Sequence, residues 1–211
     1  MKIEGKPIAI GAESTISKVD LWGQSFVLKY RPSKPYLLPE IDKILRTTRT
    51  NRECKSLTFA RTLGVPTPAV HSVDLSDCTI LMDFIEGKQL KEIANTASEK
   101  QLNELCNQFG QLIAHLHVGG MVHGDPTTSN LIVSPKNEIW IIDFGLSELN
   151  ATVEMKGVDL HLIRRALETT HWDLQEEMLE NTLKGYVSVL GDESDQVLAR
   201  MEEIRERGRY H

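Results

Sequence analysis

His123-Gly124-Asp125-Pro126-Thr127-Thr128-Ser129-Asn130 and Ile141-Ile142-Asp143-Phe144-Gly145 are the two segments on which the reading of this 211-residue chain turns. Between them, Leu131-Ile132-Val133 and Ile139-Trp140-Ile141-Ile142 flank the turn residues Pro135-Lys136-Asn137, which predicts a short β-hairpin. Taken singly, each polar residue has a plain structural explanation. Asp125 could open a turn before Pro126, Asn130 could cap one, and Asp143-Phe144-Gly145 could simply end a strand. Two carboxylates and an amide in this order, joined by a hairpin, point instead to one site with several oxygen donors.

Upstream, Ser98 opens the clearest helix, and Gln101 completes a capping-box pattern with it. Leu102, Leu105, Cys106, Phe109, Leu112, Ile113 and Leu116 recur at helical spacing and define its buried face. Before Glu86-Gly87 the chain is strand-rich. Val19-Asp20-Leu21-Trp22 and Ser25-Phe26-Val27-Leu28-Lys29-Tyr30 read as a hairpin around Gly23-Gln24. Pro32, Pro35 and Pro39 form a connector, and a helix over about residues 40–63 stops at Gly64-Val65-Pro66. Val70–Asp74 and Thr79–Phe84 read as two more strands. Downstream of Gly157 helical periodicity returns, with Leu174, Met178, Leu179, Thr182, Leu183, Tyr186, Val187 and Leu190 on one stripe. The expected fold class is α+β: a small strand lobe with one long helix over residues 1–85, and a helical lobe over residues 86–211. A cleft between two lobes is a natural cofactor site.

The two opening segments match the H-x-D-x-x-x-x-N and D-F-G pair of protein kinases, so the fold is expected to be bilobal and kinase-like. ATP and Mg²⁺ are then the expected cofactors. Phosphoryl transfer needs positioning and charge stabilisation, and magnesium prefers oxygen ligands. Asp143 is the expected metal carboxylate, Asn130 offers an amide oxygen to a second metal, and Asp125 can accept a hydrogen bond from an attacking hydroxyl or water. Lys29 ends a β-run where a kinase keeps its phosphate-gripping lysine; an isolated lysine there would be a solvated surface residue. Glu53, on the next helix, can pair with Lys29 across the cleft or with Arg49 along its own helix. Gly11-Ala12-Glu13-Ser14 occupies the phosphate-covering turn with a single glycine, and Glu13 adds negative charge there. Met82-Asp83-Phe84-Ile85 lies at the lobe junction, where backbone groups could meet adenine or simply form strand and linker.

Composition narrows the class further. The 24 basic and 30 acidic residues give a formal charge of −6, which argues against a surface coated for nucleic-acid binding. Cys54, Cys78 and Cys106 have no metal or redox spacing and suit free thiols in a reducing compartment. No run approaches the ~20 apolar residues of a membrane helix, and Met1-Lys2-Ile3-Glu4-Gly5-Lys6-Pro7 lacks a signal peptide's apolar stretch. A cytoplasmic protein without membrane contact is expected.

After Asp143-Phe144-Gly145 there is no A-P-E segment, and the chain reaches Gly157-Val158-Asp159-Leu160 too soon to build a peptide-docking platform. With that short route, His123-Gly124-Asp125, Ser129-Asn130-Leu131, Ile142 to Ser147, Lys156 to Leu160, Thr169-Thr170-His171 and Gly11-Ala12-Glu13, the chain resembles the kinase subunits of the KEOPS complex. These are small PRPK-type atypical serine/threonine kinases related to the RIO kinases. The resemblance spans nearly the whole chain and includes the stretch Arg49–Glu53 and the basic tail Arg205-Glu206-Arg207-Gly208-Arg209. It implies an ATPase and serine/threonine kinase that supports threonylcarbamoyladenosine modification of tRNA. It implies as partners an ASKHA-fold threonylcarbamoyltransferase on the helical lobe and a small accessory subunit on the strand lobe. tRNA would be met through the complex and the tail; the tail's basic residues alone would also suit a solvated helix end, and the resemblance favours contact with tRNA or the transferase. Asp159 matches the aspartate that braces the catalytic loop. Pro126, where many relatives have leucine, stiffens that loop and removes no catalytic group. Two other readings are a small-molecule kinase of the aminoglycoside-phosphotransferase type and a catalytically silent scaffold. The first usually needs helical insertions for which this chain has little room, and the second commonly lacks the lysine or metal aspartate kept here.

Overall fold

The computed structural model describes residues 5–208. The reading made of Met1–Glu4, and Arg209 of the tail, lie outside the described residues. β1 (Lys6–Ile10), β2 (Thr15–Leu21) and β3 (Gln24–Tyr30) form an antiparallel meander. The β2–β3 turn is Trp22-Gly23, one residue earlier than the Gly23-Gln24 turn expected. Both turn residues have positive φ, 53° and 78°, as a two-residue type I′ turn requires. Gly23 adopts this without strain, and Trp22 stands in solvent.

The connector leads into α1 (Pro39–Thr62), where Pro39 occupies the first turn and its missing N–H leaves no bond unmade. The helix stops before Gly64, whose φ of 78° carries the chain out. β4 (Val70–Asp74) and β5 (Thr79–Asp83) complete a five-stranded sheet of order β1-β2-β3-β5-β4. α1 is unusual in what it buries. Asp42, Thr50, Glu53 and Ser56 are inside beside Leu57 and Ala60, whereas Ile41, Ile44 and Leu45 near its start are exposed. A helix that buries polar groups must find them partners, and the partners are those of the site below.

Beyond Gly87, β6 (Lys88–Gln89) and α2 (Leu90–Ile93) precede α3 (Glu99–Val118). Ser98 Oγ accepts from the Gln101 N–H at 3.3 Å, but the Gln101 side chain donates to Asn137 Oδ1 at 2.9 Å. Only half of the expected capping box therefore forms, because the Gln101 side chain turns to the next hairpin instead of reaching back to accept from the Ser98 N–H. β7 (Met121–Val122), β8 (Leu131–Val133), β9 (Ile139–Ile141) and β10 (Glu148–Leu149) are short strands; β8 and β9 form the expected hairpin. α4 (Val153–Thr170), α5 (Gln175–Leu190) and α6 (Ser194–Gly208) close the helical part.

α3 and α5 approach through glycines. A Cβ on Gly110 would lie 1.8 Å from the Thr182 carbonyl oxygen, and one on Gly185 would lie 2.0 Å from that of Asn107. The expected α3 face is buried apart from half-buried Leu112, and on α5 Val187 turns out exposed. Leu57, Ala60, Ile80 and Met82 of the strand lobe belong to the same core cluster as Leu105, Phe109 and Ile113 of the helical lobe. The fold is α+β and bilobal, with one core cluster shared by both lobes and a smaller one of Val19, Phe26 and Leu81 within the sheet. The three cysteines are free thiols. Among the described residues no helix is long and apolar enough to cross a membrane.

Candidate active site

The lower wall of the cleft is the loop between β7 and β8. A short 3₁₀ turn, Thr128–Asn130, closes it. Asn130 Nδ2 donates to the Asp125 carbonyl at 2.9 Å and to Asp125 Oδ2 at 3.0 Å. Those two bonds fix the amide's orientation and, among the described residues, leave Asn130 Oδ1 and Asp125 Oδ1 as free acceptors. His123 is buried, its ring 4.7 Å from that of Phe144. Its Nδ1 accepts from the Asp125 N–H at 3.2 Å, so Nε2 carries the proton and donates to the Ile142 carbonyl at 3.1 Å. One imidazole thus ties the loop of Asp125 to the strand that delivers Asp143.

Buried Asp159 on α4 supports this loop from behind. Its carboxylate accepts the N–H groups of His123 (2.7 Å) and Gly124 (2.8 Å) and the Nε2–H of His117 (3.2 Å). His117 Nδ1 then accepts from the Tyr186 hydroxyl at 2.8 Å. Burial lowers the His117 pKa more than Asp159 raises it, which keeps the ring neutral. Thr128 is held in turn by His171 Nε2 at 2.9 Å. Gly124 has φ 82°, and a Cβ there would lie 2.3 Å from the Leu146 carbonyl oxygen. The two loops touch backbone to backbone at that point.

Asp143 has a φ of 62°, a left-handed conformation uncommon for residues other than glycine, and its side chain stays 45% exposed. Burial would raise its carboxyl, but the charge and hydrogen bond of Lys29 outweigh this and hold it below the ordinary value. An ionised, accessible carboxylate beside a free amide oxygen and a second carboxylate is a hard-donor set that fits a magnesium ion.

The upper wall is built from charge. Lys29 Nζ lies 2.7 Å from Glu53 Oε1 and 2.7 Å from Asp143 Oδ1. Lys29 and Glu53 are nearly fully buried, and Arg31 pairs with the other oxygen of Glu53. Arg49, the alternative partner for Glu53, pairs instead with Glu13 in the turn above the cleft. That pairing offsets the negative charge that Glu13 brings to the turn. Gly11 N–H closes the turn on the Ser14 carbonyl at 2.9 Å, and Lys34 Nζ donates to the Ala12 carbonyl. At the junction, Met82 is buried in β5. Asp83 is committed to β4 and the residue before it, accepting from the Ala69 N–H at 2.9 Å and pairing with His71 at 2.6 Å. The Phe84 ring carries the Lys18 ammonium 4.2 Å from its centroid, and Ile85 follows half-buried.

The RIO-domain model matches residues 40–178, well over half of the chain. The KEOPS complex subunit Bud32 of Pyrococcus abyssi is 42% identical over 185 residues, covering 87% of this chain and 84% of that protein. This chain is a Bud32-type member of the RIO-domain family. A probable bifunctional tRNA threonylcarbamoyladenosine biosynthesis protein of Methanobrevibacter smithii is 36% identical over 210 residues, all of this chain but 38% of that one. Its counterpart in Methanothermobacter thermautotrophicus is 34% identical over 203 residues, 96% of this chain and 36% of that one. The chain spans little more than a third of these bifunctional relatives.

For a RIO-domain chain, sequence reasoning overlooked several site residues. Arg31 sits two positions after Lys29, so the period of a strand puts both side chains on one face; that signal was available. His117, Tyr186 and His171 are reached only through folding. Surface grooves lie elsewhere, among them one of about 510 Å³ between Arg61, Gln108 and Trp140 and one of about 860 Å³ beside Tyr30, Arg46 and Asp74. The site is therefore assigned by its converging side chains, not by cavity size. The tail is less basic than its sequence suggests, since Arg205 pairs with Glu202 at 3.0 Å and Arg207 with Glu203 at 3.5 Å.

Proposed function

We propose that this chain binds magnesium-ATP in the cleft between residues 1–85 and 86–211, and acts as an atypical serine/threonine kinase and ATPase of a KEOPS-type complex. It would there support threonylcarbamoyladenosine modification of tRNA. The observation that carries the reading is the convergence of Lys29, Glu53 and Asp143 at 2.7 Å contacts, with Asp125 and Asn130 clamped together alongside.

In this reading Asp143 and Asn130 Oδ1 hold the metal, and Lys29 grips phosphate. Bound magnesium neutralises charge on the phosphates and fixes their geometry. Asp125 Oδ1 accepts the proton of the attacking hydroxyl or water, while Asn130 prevents the carboxylate from rotating away. Gly11, Ala12 and Glu13 cover the phosphates, and the backbone of Met82, Asp83, Phe84 and Ile85 meets adenine. Exposed Leu146, Leu149, Val153 and Trp172 around the helical side of the cleft support docking of a transferase partner. Exposed Tyr36, Leu38, Ile41 and Ile44 support an accessory subunit on the strand lobe. tRNA contact through the tail would require Arg205 and Arg207 to exchange Glu202 and Glu203 for phosphates.

The test is ATP hydrolysis by the purified chain with its transferase partner, with and without tRNA. Asp125→Ala and Asp143→Ala should each lower turnover by about 10²–10⁴-fold or more. Undiminished turnover in both variants removes the proposal.

A further inference from the structure

Lys29 and Glu53 do not exhaust the charge buried in the upper wall. Arg31 is only 4% exposed, and its backbone is pinned on both sides. Its N–H donates to the Cys78 carbonyl at 3.1 Å, and its own carbonyl accepts from Arg46 Nη1 at 3.1 Å. The side chain therefore starts from a fixed root. Its Nη2 donates to Glu53 Oε2. The same Nη2 lies 3.2 Å from where a Cβ on Gly145 would stand, a point also 3.2 Å from Asp143 Oδ1. The guanidinium thus rests against the backbone that presents Asp143.

Arg31 Nε and Nη1 are buried and have no hydrogen-bond partner among the described residues. A guanidinium taken out of water with most of its donors unmet is costly. Its compensation comes through Glu53 and through the charge balance of the cluster, two cations (Lys29, Arg31) against two carboxylates (Glu53, Asp143). Without Arg31, Lys29 would be the sole cation for both carboxylates.

We propose that Arg31 is a positioning residue for phosphoryl transfer, holding the second oxygen of Glu53 so that α1 keeps its place and Lys29 is free to exchange Asp143 for a phosphate oxygen. The role in turnover rests on the magnesium-ATP reading of the cleft. The hold on Glu53 stands on geometry alone, and the two are tested separately.

The first arm is amide hydrogen exchange of the nucleotide-free protein. Arg31→Met should speed exchange of α1 amides around Glu53 by about tenfold while leaving α3 unchanged, and Arg31→Lys should fall between. The second arm is ATP turnover with the transferase partner. Arg31→Met should lower kcat by about tenfold with a smaller change in KM for ATP, Arg31→Lys should recover part of it, and adding Arg31→Met to Glu53→Gln should cost nothing further. Wild-type α1 exchange in Arg31→Met overturns the proposal, as do multiplicative losses in the double variant. If Arg31→Met does not fold, Arg31→Lys carries both arms. A wild-type protein without ATP turnover removes the cleft reading and this residue's role in it, and the exchange arm still decides whether Arg31 holds Glu53.

Discussion

The two walls of the cleft are held by different physics. Above, Lys29, Arg31, Glu53 and Asp143 form a compact set of alternating charges, three of them almost out of water. Below, the loop of Asp125 is fixed mainly by backbone N–H groups donating to Asp159, which His117 supports from behind, and by the imidazoles of His123 and His171. The upper wall stays in place only while its charges balance, so a change of partner at Lys29 is felt across it. The lower wall is held by hydrogen bonds among its own groups, and His123 is its link to the strand that delivers Asp143. A kinase-like site needs both, one side able to exchange ionic partners and one held by a dense set of hydrogen bonds.

The contrast is broken most severely at Glu53. Glu53→Ala leaves two buried cations without their shared partner and should cost about 3–5 kcal/mol of unfolding free energy in a denaturant titration. In the lower wall Asp159→Asn should cost about 1–3 kcal/mol, because one amide oxygen cannot serve three donors and its own NH₂ meets another N–H. If the Asp159 variant proved the more damaging, the assignment of ionic dependence to the upper wall would be reversed. Gly124→Ala should cost about 1–2 kcal/mol from its left-handed backbone, with an added loss of turnover as the Leu146 carbonyl is pushed away.

The pH response separates the walls further. Burial lowers the pKa of His117 and His171, and also that of His161. The unfolded chain then takes up protons near the ordinary value of 6.5 that the folded chain refuses. Stability is fully present above that value and should fall as pH drops below it. Asp143 is also held below its ordinary value of 3.8, but as a carboxylate it loses its contribution only when pH falls below 3.8. Melting curves between pH 7 and about 5.5 should therefore report mainly these histidines, and His171→Asn should make them less steep while His117 and His161 keep the remaining slope. The smallest effect is expected at the α3 cap, where Ser98→Ala should cost about 0.5–1 kcal/mol.

What the sequence disclosed follows the range of the interactions. Repeating apolar residues located α3, and alternation with a tight turn located β2 and β3, within a residue at Trp22. The spacing of Asp125, Asn130 and Asp143 exposed the candidate site because all three are set by one loop and one hairpin. Choices made by long side chains were not visible. Arg49 had a helical neighbour in Glu53 and took Glu13; Gln101 had its own cap and took Asn137. Each found its partner only after distant elements met. The His117–Tyr186 contact, between residues on separate helices, is of the same kind.

The paired glycines of α3 and α5 carry one more implication. Because each helix accepts the other's carbonyl where it lacks a Cβ, the pair is keyed at two points, and sliding by a turn would drive a side chain into main chain. α3 also bears His117, and α5 bears Tyr186. The keyed joint therefore sets how squarely hydroxyl meets imidazole behind the loop of Asp125, so a methyl added at Gly110 or Gly185 should misalign chemistry that neither residue touches.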